Sequence, residues 1–373
     1  MTTGRFDVVV AGGGPAGFAT ALALANQGFS AAVVEGTEST ERRMGESLPG
    51  VARFALHDLG LWQSFGPELC RPSQRVRSSW GGRLEVRNNS EGIDGPDYHL
   101  DRARFDAWLG DRAAKLGVYR IPNTRVTSAR FDDAERAWHV DLSAGPEPPL
   151  SARFVVDAGG RSATLSRRLG AVRRYADRLV GVARWFRVTA CEPSVVIEAT
   201  AHGWYYSAPA PDDELVTLFV TNAQNARARV QAAAKVEAFA DDAPLTRERL
   251  RAAVACSYTR GYDASPSITQ FDTGAPWLAV GDAALAFDPL SADGLCFALR
   301  SGLEAAPAIA AALAGDAAML VRYRAGARAV FDLHLANRAL HYRNERRWPS
   351  SEFWSARHAQ EPLHGRDRSP LSQ

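Results

Sequence analysis

The chain has 373 residues, 46% hydrophobic and 23% charged, enough to bury a large core as one large domain or two intimate ones. A formal net charge of +2 excludes any general pull toward nucleic acid or an anionic membrane surface. Cys70, Cys191, Cys256 and Cys296 make no Cys-x-x-Cys pair and no metal-ligand spacing, so reduced thiols, a cytoplasmic setting and no metal site are expected.

In chain order, the first predicted element is a short buried strand at residues 7–11, entered without a signal-peptide pattern. Gly12-x-Gly14-x-x-Gly17 follows, with Pro15 and Ala16 inside it, then a small-residue helix stopped at Gly28, a second strand at 31–34, and Glu35. Each part has a physical task. Gly12 permits the tight turn, Gly14 lets a pyrophosphate approach the backbone, and Gly17 lets the helix pack on the strand. The helix N-terminus offers free amides and the positive end of its dipole. Glu35 can accept hydrogen bonds from an adenosine ribose, and its charge would repel a 2′-phosphate. NAD and FAD both fit this unit.

Arg42 and Arg43 lie beyond the ribose acid, where a guanidinium can reach adenosine or pyrophosphate. Residues 98–118 read as a strand end and an amphipathic helix, with Arg102 at its start and Phe105, Leu109 and Ala113 on one face. Residues 152–170 read as strand, glycine turn and helix. Strand-like runs between 179 and 268 suggest a sheet roofing a substrate pocket. Residues 277–306 read as strand, Gly281-Asp282, loop and helix. No uninterrupted apolar run reaches the roughly 18 residues of a membrane span; the richest, 305–315, contains Pro307. The basic, aromatic tail is expected to pack Trp348 and Trp354 on the body as a helix rather than bind nucleic acid.

These pieces, in this order, resemble the glutathione-reductase-type FAD fold of aromatic hydroxylases and flavin-dependent halogenases. The resemblance implies an α/β chain: a Rossmann FAD-binding domain (1–178 and 269–330), an inserted β-sheet substrate domain (179–268) and a C-terminal helical segment (331–373). It implies that Gly281-Asp282 binds the ribityl chain of FAD, and that the stretch from Pro289 through Gly294 to Leu295 covers the isoalloxazine ring. Arg102, the backbone of Val126, and Ser47 of "GESLPG" would lie along the cofactor. Asp282 can accept a ribitol hydroxyl. A helix beginning at Gly294 would turn its amides toward the flavin edge that becomes anionic on reduction.

Within that family, halogenases carry a tunnel lysine, and this chain has no lysine before Lys115; Lys235 is its only other. Their Trp-x-Trp-x-Ile-Pro stretch corresponds to Trp204, Tyr206, Ala208 and Pro209. Their Glu-Pro-Leu-Glu-Ser-Thr-Gly loop corresponds to Asp288–Gly294, which places Ser291 at the catalytic Glu and Asp293 at the halide-binding Thr. A carboxylate there would repel a halide. The set "GESLPG", "SSWGG", "GWYYSAP" and "ERRWPSSEFW" is similar to flavoprotein monooxygenases that modify tryptophan in partner proteins during maturation of tryptophylquinone-type oxidases.

The implied activity is hydroxylation of an aromatic, with an indole or tryptophan, free or within a peptide or protein, as the substrate. Oxygen would be delivered from a C4a-hydroperoxyflavin formed with O2. Halogenation and single-component NAD(P)H-dependent hydroxylation of a small aromatic are the alternatives. The middle turn, Asp157-Ala158-Gly159-Gly160, lacks an adjacent Asp-Gly, so reduction by NAD(P)H directly or through a separate flavin reductase stays open. Aromatic walls would come from Trp80, Trp204, Tyr205 and Tyr206. Asp293 is the first candidate base, with Glu46 and His202 behind it. The plainer roles are a helix cap for Asp293, a loop brace for Glu46, a surface turn for His202 and sheet packing for Trp204 and Tyr206.

Overall fold

Valine and alanine fill both faces of the strands Arg5–Ala11 (β1) and Ala31–Val34 (β2), the composition of strands covered on two sides. In the computed structural model, which describes residues 4–36, 44, 47–89, 94–144, 149–232, 237–270 and 274–359, these strands pair in parallel in the middle of a mixed sheet, in which Ala137–Leu142 runs antiparallel to both of its neighbours. The order across it is Tyr119–Ile121, β2, β1, Leu150–Asp157, Ala137–Leu142 and Val126–Asp132. Trp277–Ala279 runs parallel to the far end of Leu150–Asp157. Strand alternation sends Val8 and Val10 into one core with Phe18, Phe105 and Leu299, and Val9 into another with Trp138, Val155 and Trp277.

The chain divides into two units. The first comprises Met1–Gln74, Asn88–Asp177 and Ser265–Ala327, and the second Arg75–Arg87, Arg178–Ala264 and Arg328–Gln373.

In the first unit, helix Pro15–Asn26 (α1) packs on helix Gly294–Leu313. A side chain at Gly302 would put its Cβ 2.6 Å from the Ala16 carbonyl oxygen, so the two backbones are in direct contact. The sequence suggested that Pro307 interrupts this apolar run. The helix instead continues through Pro307 to Leu313. One lost backbone hydrogen bond is outweighed by burial of Leu299, Ala305, Ala306 and Ile309. By length and composition it is the one helix among the described residues that could cross a membrane, and more than half of it is buried. It is accounted for as a core helix.

The second unit is a seven-stranded sheet, ordered Ala253–Asp263, Val180–Val188, Glu214–Thr221, Gly203–Ala210, Ser194–Thr200, Arg75–Trp80 and Arg83–Asn88. Two strands therefore come from the segment 75–88, outside the 179–268 span read from the sequence. Phe186, Tyr205, Phe219, Phe239 and Leu250 form the core on one face. On the other side, Trp80 packs edge-on against Trp204, Tyr342 and Trp354 at ring separations of 6.3, 6.0 and 5.4 Å. Trp354 donates its indole N–H to the Thr200 carbonyl at 2.8 Å.

A buried carboxylate closes this unit. The Glu345 side chain is 0% exposed and accepts from the Gly81 amide at 2.8 Å and from Arg347 Nε at 2.9 Å. Burial raises its pKa, but the bonds from Arg347 and Gly81 outweigh this and hold it below the ordinary glutamate value. The stabilisation is therefore complete above the ordinary glutamate range and is lost as pH falls through the depressed folded value. Glu345→Ala should cost about 2 kcal/mol or more at neutral pH by chemical denaturation. The difference between variant and wild type should shrink on acidification; a constant difference down to acid pH would count against the latch.

Candidate cofactor site

The backbone does most of the building in the first unit. Gly12 has φ +126°, and a Cβ there would lie 2.3 Å from the Ala158 carbonyl oxygen. A Cβ at Gly17 would lie 1.9 Å from the Gly12 oxygen. Gly14 differs: its added Cβ meets no protein atom within 4 Å. Pro15 occupies the first turn of α1, Ala16 follows, and no side chain caps that end. The amide end of α1 is thus left uncapped beside open backbone, an arrangement that fits a pyrophosphate.

Glu35 follows β2 and is 6% exposed, with its carboxylate 2.7 to 2.9 Å from where a Gly13 Cβ would be. Arg120 Nη2 lies 3.2 Å from its Oε2. The sequence reading missed this partner, 85 residues away in the chain. The cation offsets the charge on Glu35 and weakens the expected repulsion of a 2′-phosphate.

Arg102 grips Asp106 with Nε and Nη2 at 3.2 and 3.1 Å and donates Nη1 to the Met44 carbonyl at 2.8 Å. Ser47 lies on the short strand Ser47–Leu48, opposite His99. The Val126 carbonyl accepts from Arg168 at 3.2 Å. Arg42, Arg43 and Glu46 lie outside the described residues. Asp157 accepts from the amides of Gly159 and Ser166 and from the Ser166 hydroxyl, which fixes the glycine turn.

Gly281 and Asp282 form a tight turn, and the Gly281 amide donates to the Ser301 hydroxyl at 2.9 Å. Arg173, another residue the sequence did not single out, donates to the Asp282 and Ala283 carbonyls at 2.7 and 2.8 Å. In the following loop Asp288, fully buried, accepts from the Leu290 amide at 3.0 Å and so caps the turn Pro289–Ser291. Gly294 opens the long helix, a Cβ added to it meets nothing within 4 Å, and Leu295 is buried.

Asp293 stands at the cap position of that helix with helical backbone angles, and its side chain makes no capping bond. Its amide donates to the Ser291 hydroxyl at 3.3 Å. Asp293 keeps an exposed face, yet desolvation by the surrounding protein raises its pKa, against opposing contributions from Ser291 and Arg300.

The remaining candidates lie in the second unit. Trp204 is 1% exposed and donates its indole N–H to the Tyr342 hydroxyl at 3.0 Å. Tyr205 is fully buried and donates to the Phe239 carbonyl at 2.7 Å. Both rings are buried within the second unit, on opposite faces of the strand Gly203–Ala210. Tyr206 is half-buried and His202 exposed.

Comparison with known proteins accords with this geometry. The family model described as an FAD binding domain matches residues 5–337. The putative FAD-dependent oxidoreductase LodB of Marinomonas mediterranea is 30% identical over 95% of this chain and 97% of its own length. The tryptophan 2-halogenase of Chondromyces crocatus is 25% identical over 84% of this chain, which spans 62% of that protein. Among solved structures, the myxobacterial chondrochloren halogenase CndH superposes with a TM-score of 0.85 at 24% identity, covering 95% of this chain and 86% of that one.

The sequence placed the chain nearest to flavoproteins that hydroxylate tryptophan in partner proteins. That placement is corrected, because most of the similar proteins and structures are halogenases. A few loop residues had been weighed above a likeness that runs through the whole scaffold. The fold is a Rossmann FAD-binding domain with an inserted sheet domain and C-terminal helices, and FAD is its cofactor, with O2 the co-substrate of this enzyme class.

Because Gly14 has extended angles and open space, Gly14→Ala should leave the apo-protein's unfolding temperature unchanged while weakening FAD binding about tenfold or more. Flavin titration of both proteins checks this. The chain belongs to the FAD-binding-domain family and is a flavin-dependent oxidoreductase of the tryptophan-halogenase-like superfamily.

Proposed function

We propose that the protein halogenates an electron-rich aromatic substrate with FAD, O2 and a halide. The observation that carries this is the likeness to halogenating enzymes along most of the chain, such as 81% of it for a pyrrole-2-carbonyl carrier-protein chlorinase of Pseudomonas fluorescens. When bound and reduced, FAD supplies two electrons for the activation of O2. The reaction balances as aromatic C–H, halide, O2, reduced FAD and one proton giving the aryl halide, oxidised FAD and two waters.

The chain's own residues have defined tasks in this reading. The open amide ends at Gly14 and Gly294 receive the pyrophosphate and the flavin edge, and Asp282 the ribityl chain. An ionised Asp293 carboxylate would repel a halide. Desolvation pushes its pKa above the ordinary aspartate value, so the repulsion of a halide weakens toward acid pH.

A second reading, hydroxylation of the aromatic, rests on the lysines and on the loop. Lys115 is exposed at the end of helix Arg102–Lys115, Lys235 lies outside the described residues, and Ser291 stands where halogenases carry a glutamate. In that case oxygen goes directly to carbon, one water is formed, and Asp293 takes the indole or phenol proton. Electrons come from NAD(P)H directly or through a separate flavin reductase in either reading. A cytoplasmic setting, which the four free cysteines support, belongs to the same proposal.

Mass spectrometry of tryptophan, tryptophan-containing peptides and small phenols, incubated with the protein, FAD, a reductase, O2 and bromide, separates the two. A bromine adduct is expected; gain of oxygen alone would overturn halogenation and favour hydroxylation. Under the first reading the apparent KM for bromide should rise as pH climbs through the Asp293 pKa, because the anion forms only above it. Asp293→Asn should flatten that rise, and a flat wild-type profile would remove Asp293 from the halide site.

A further inference from the structure

We propose that Arg161 is a positioning residue for FAD, acting through the carboxylate of Asp282. This rests on the FAD reading of the Gly281-Asp282 turn. Arg161 lies in the tight turn Gly160–Ser162, just beyond the strand Leu150–Asp157. Its Nη1 donates to the Ser265 carbonyl at 3.0 Å and its Nη2 to the Phe287 carbonyl at 2.7 Å. Its Nε lies 3.4 Å from Asp282 Oδ2.

One planar fork therefore joins three separate segments of the first unit. Guanidinium geometry suits this, because its donors point in fixed directions. The Asp282 side chain remains 33% exposed, so the carboxylate held by Arg161 is still accessible to a hydroxyl ligand. The Phe287 bond fixes the start of the loop that leads through Asp288 to the Gly294 helix. Arg161 thus sets both the aim of the ribityl-binding acid and the position of the loop beside the ring. Arg173 donates to the carbonyls of the same turn, and Arg161 is the cation beside its carboxylate.

The test compares Arg161→Ala and Arg161→Lys with Arg153→Ala. Arg153 ties Asp7 to the Leu313 carbonyl in the same unit and does not touch the turn. Arg161→Ala should weaken FAD binding about tenfold or more and shift the bound flavin's absorption bands and midpoint potential. Arg161→Lys should recover part of the affinity, since an ammonium cannot serve three oxygens in fixed directions. Arg153→Ala should lower the unfolding temperature with FAD affinity and spectrum unchanged. In an Asp282→Asn background the Arg161→Ala loss should shrink.

Wild-type affinity and spectrum in Arg161→Ala, or an equal loss in Arg153→Ala, would overturn the proposal. If Arg161→Ala does not fold, a wild-type spectrum and affinity in Arg161→Lys would overturn it as well. A wild-type protein that binds no FAD would instead defeat the cofactor reading itself.

Discussion

The first turn of α1 is pressed between two backbones. Gly17 lies on the Gly12 carbonyl, and Gly302 of helix Gly294–Leu313 lies on the Ala16 carbonyl. A Cβ at Gly17 would lie 1.9 Å from the Gly12 oxygen and one at Gly302 2.6 Å from the Ala16 oxygen, so a side chain at either glycine would force the backbones apart. The direction of the α1 amides, the path of the Gly281 turn and the start of the Gly294 helix all depend on that contact. The site is thus an outcome of backbone packing first, with side chains such as Arg161, Arg173 and Asp157 fixing the loops afterwards.

What could be read from sequence follows from the range of the interactions. The Gly12-x-Gly14-x-x-Gly17 turn is local, and so were its strand, helix and acid. The partner of Glu35 was not legible, because Arg120 reaches it only through the pairing of Ala31–Val34 with Tyr119–Ile121. Strand spacing allowed sheet packing for Trp204 and Tyr206, but gave no sign that Trp204 and Tyr205 are both buried. The pairing of Arg75–Trp80 with Ser194–Thr200 gives no local signal at all. Propensity favoured Asp293 as a cap; in the fold Asp288 caps the preceding turn and the Asp293 side chain caps nothing.

The two readings of the chemistry draw on different parts of the molecule. Likeness along the whole chain reports the scaffold that holds FAD and admits O2. In the proposed reading, the fate of the oxidising equivalent would be decided by the loop Asp288–Gly294, where Ser291 and Asp293 depart from the halogenase pattern. Folds of this kind host more than one reaction, so the loop and not the sheet carries the decision.

The second unit is assembled from three stretches of chain, and the last supplies Tyr342, Glu345 and Trp354. During synthesis Trp80 and Trp204 leave the ribosome long before the rings that bury them. At about 5–20 residues per second, those apolar surfaces wait for many seconds without their cover. The sheet's strands are therefore all present well before the segment that covers Trp80 and Trp204, which makes that interval a stage at which this unit is exposed to aggregation.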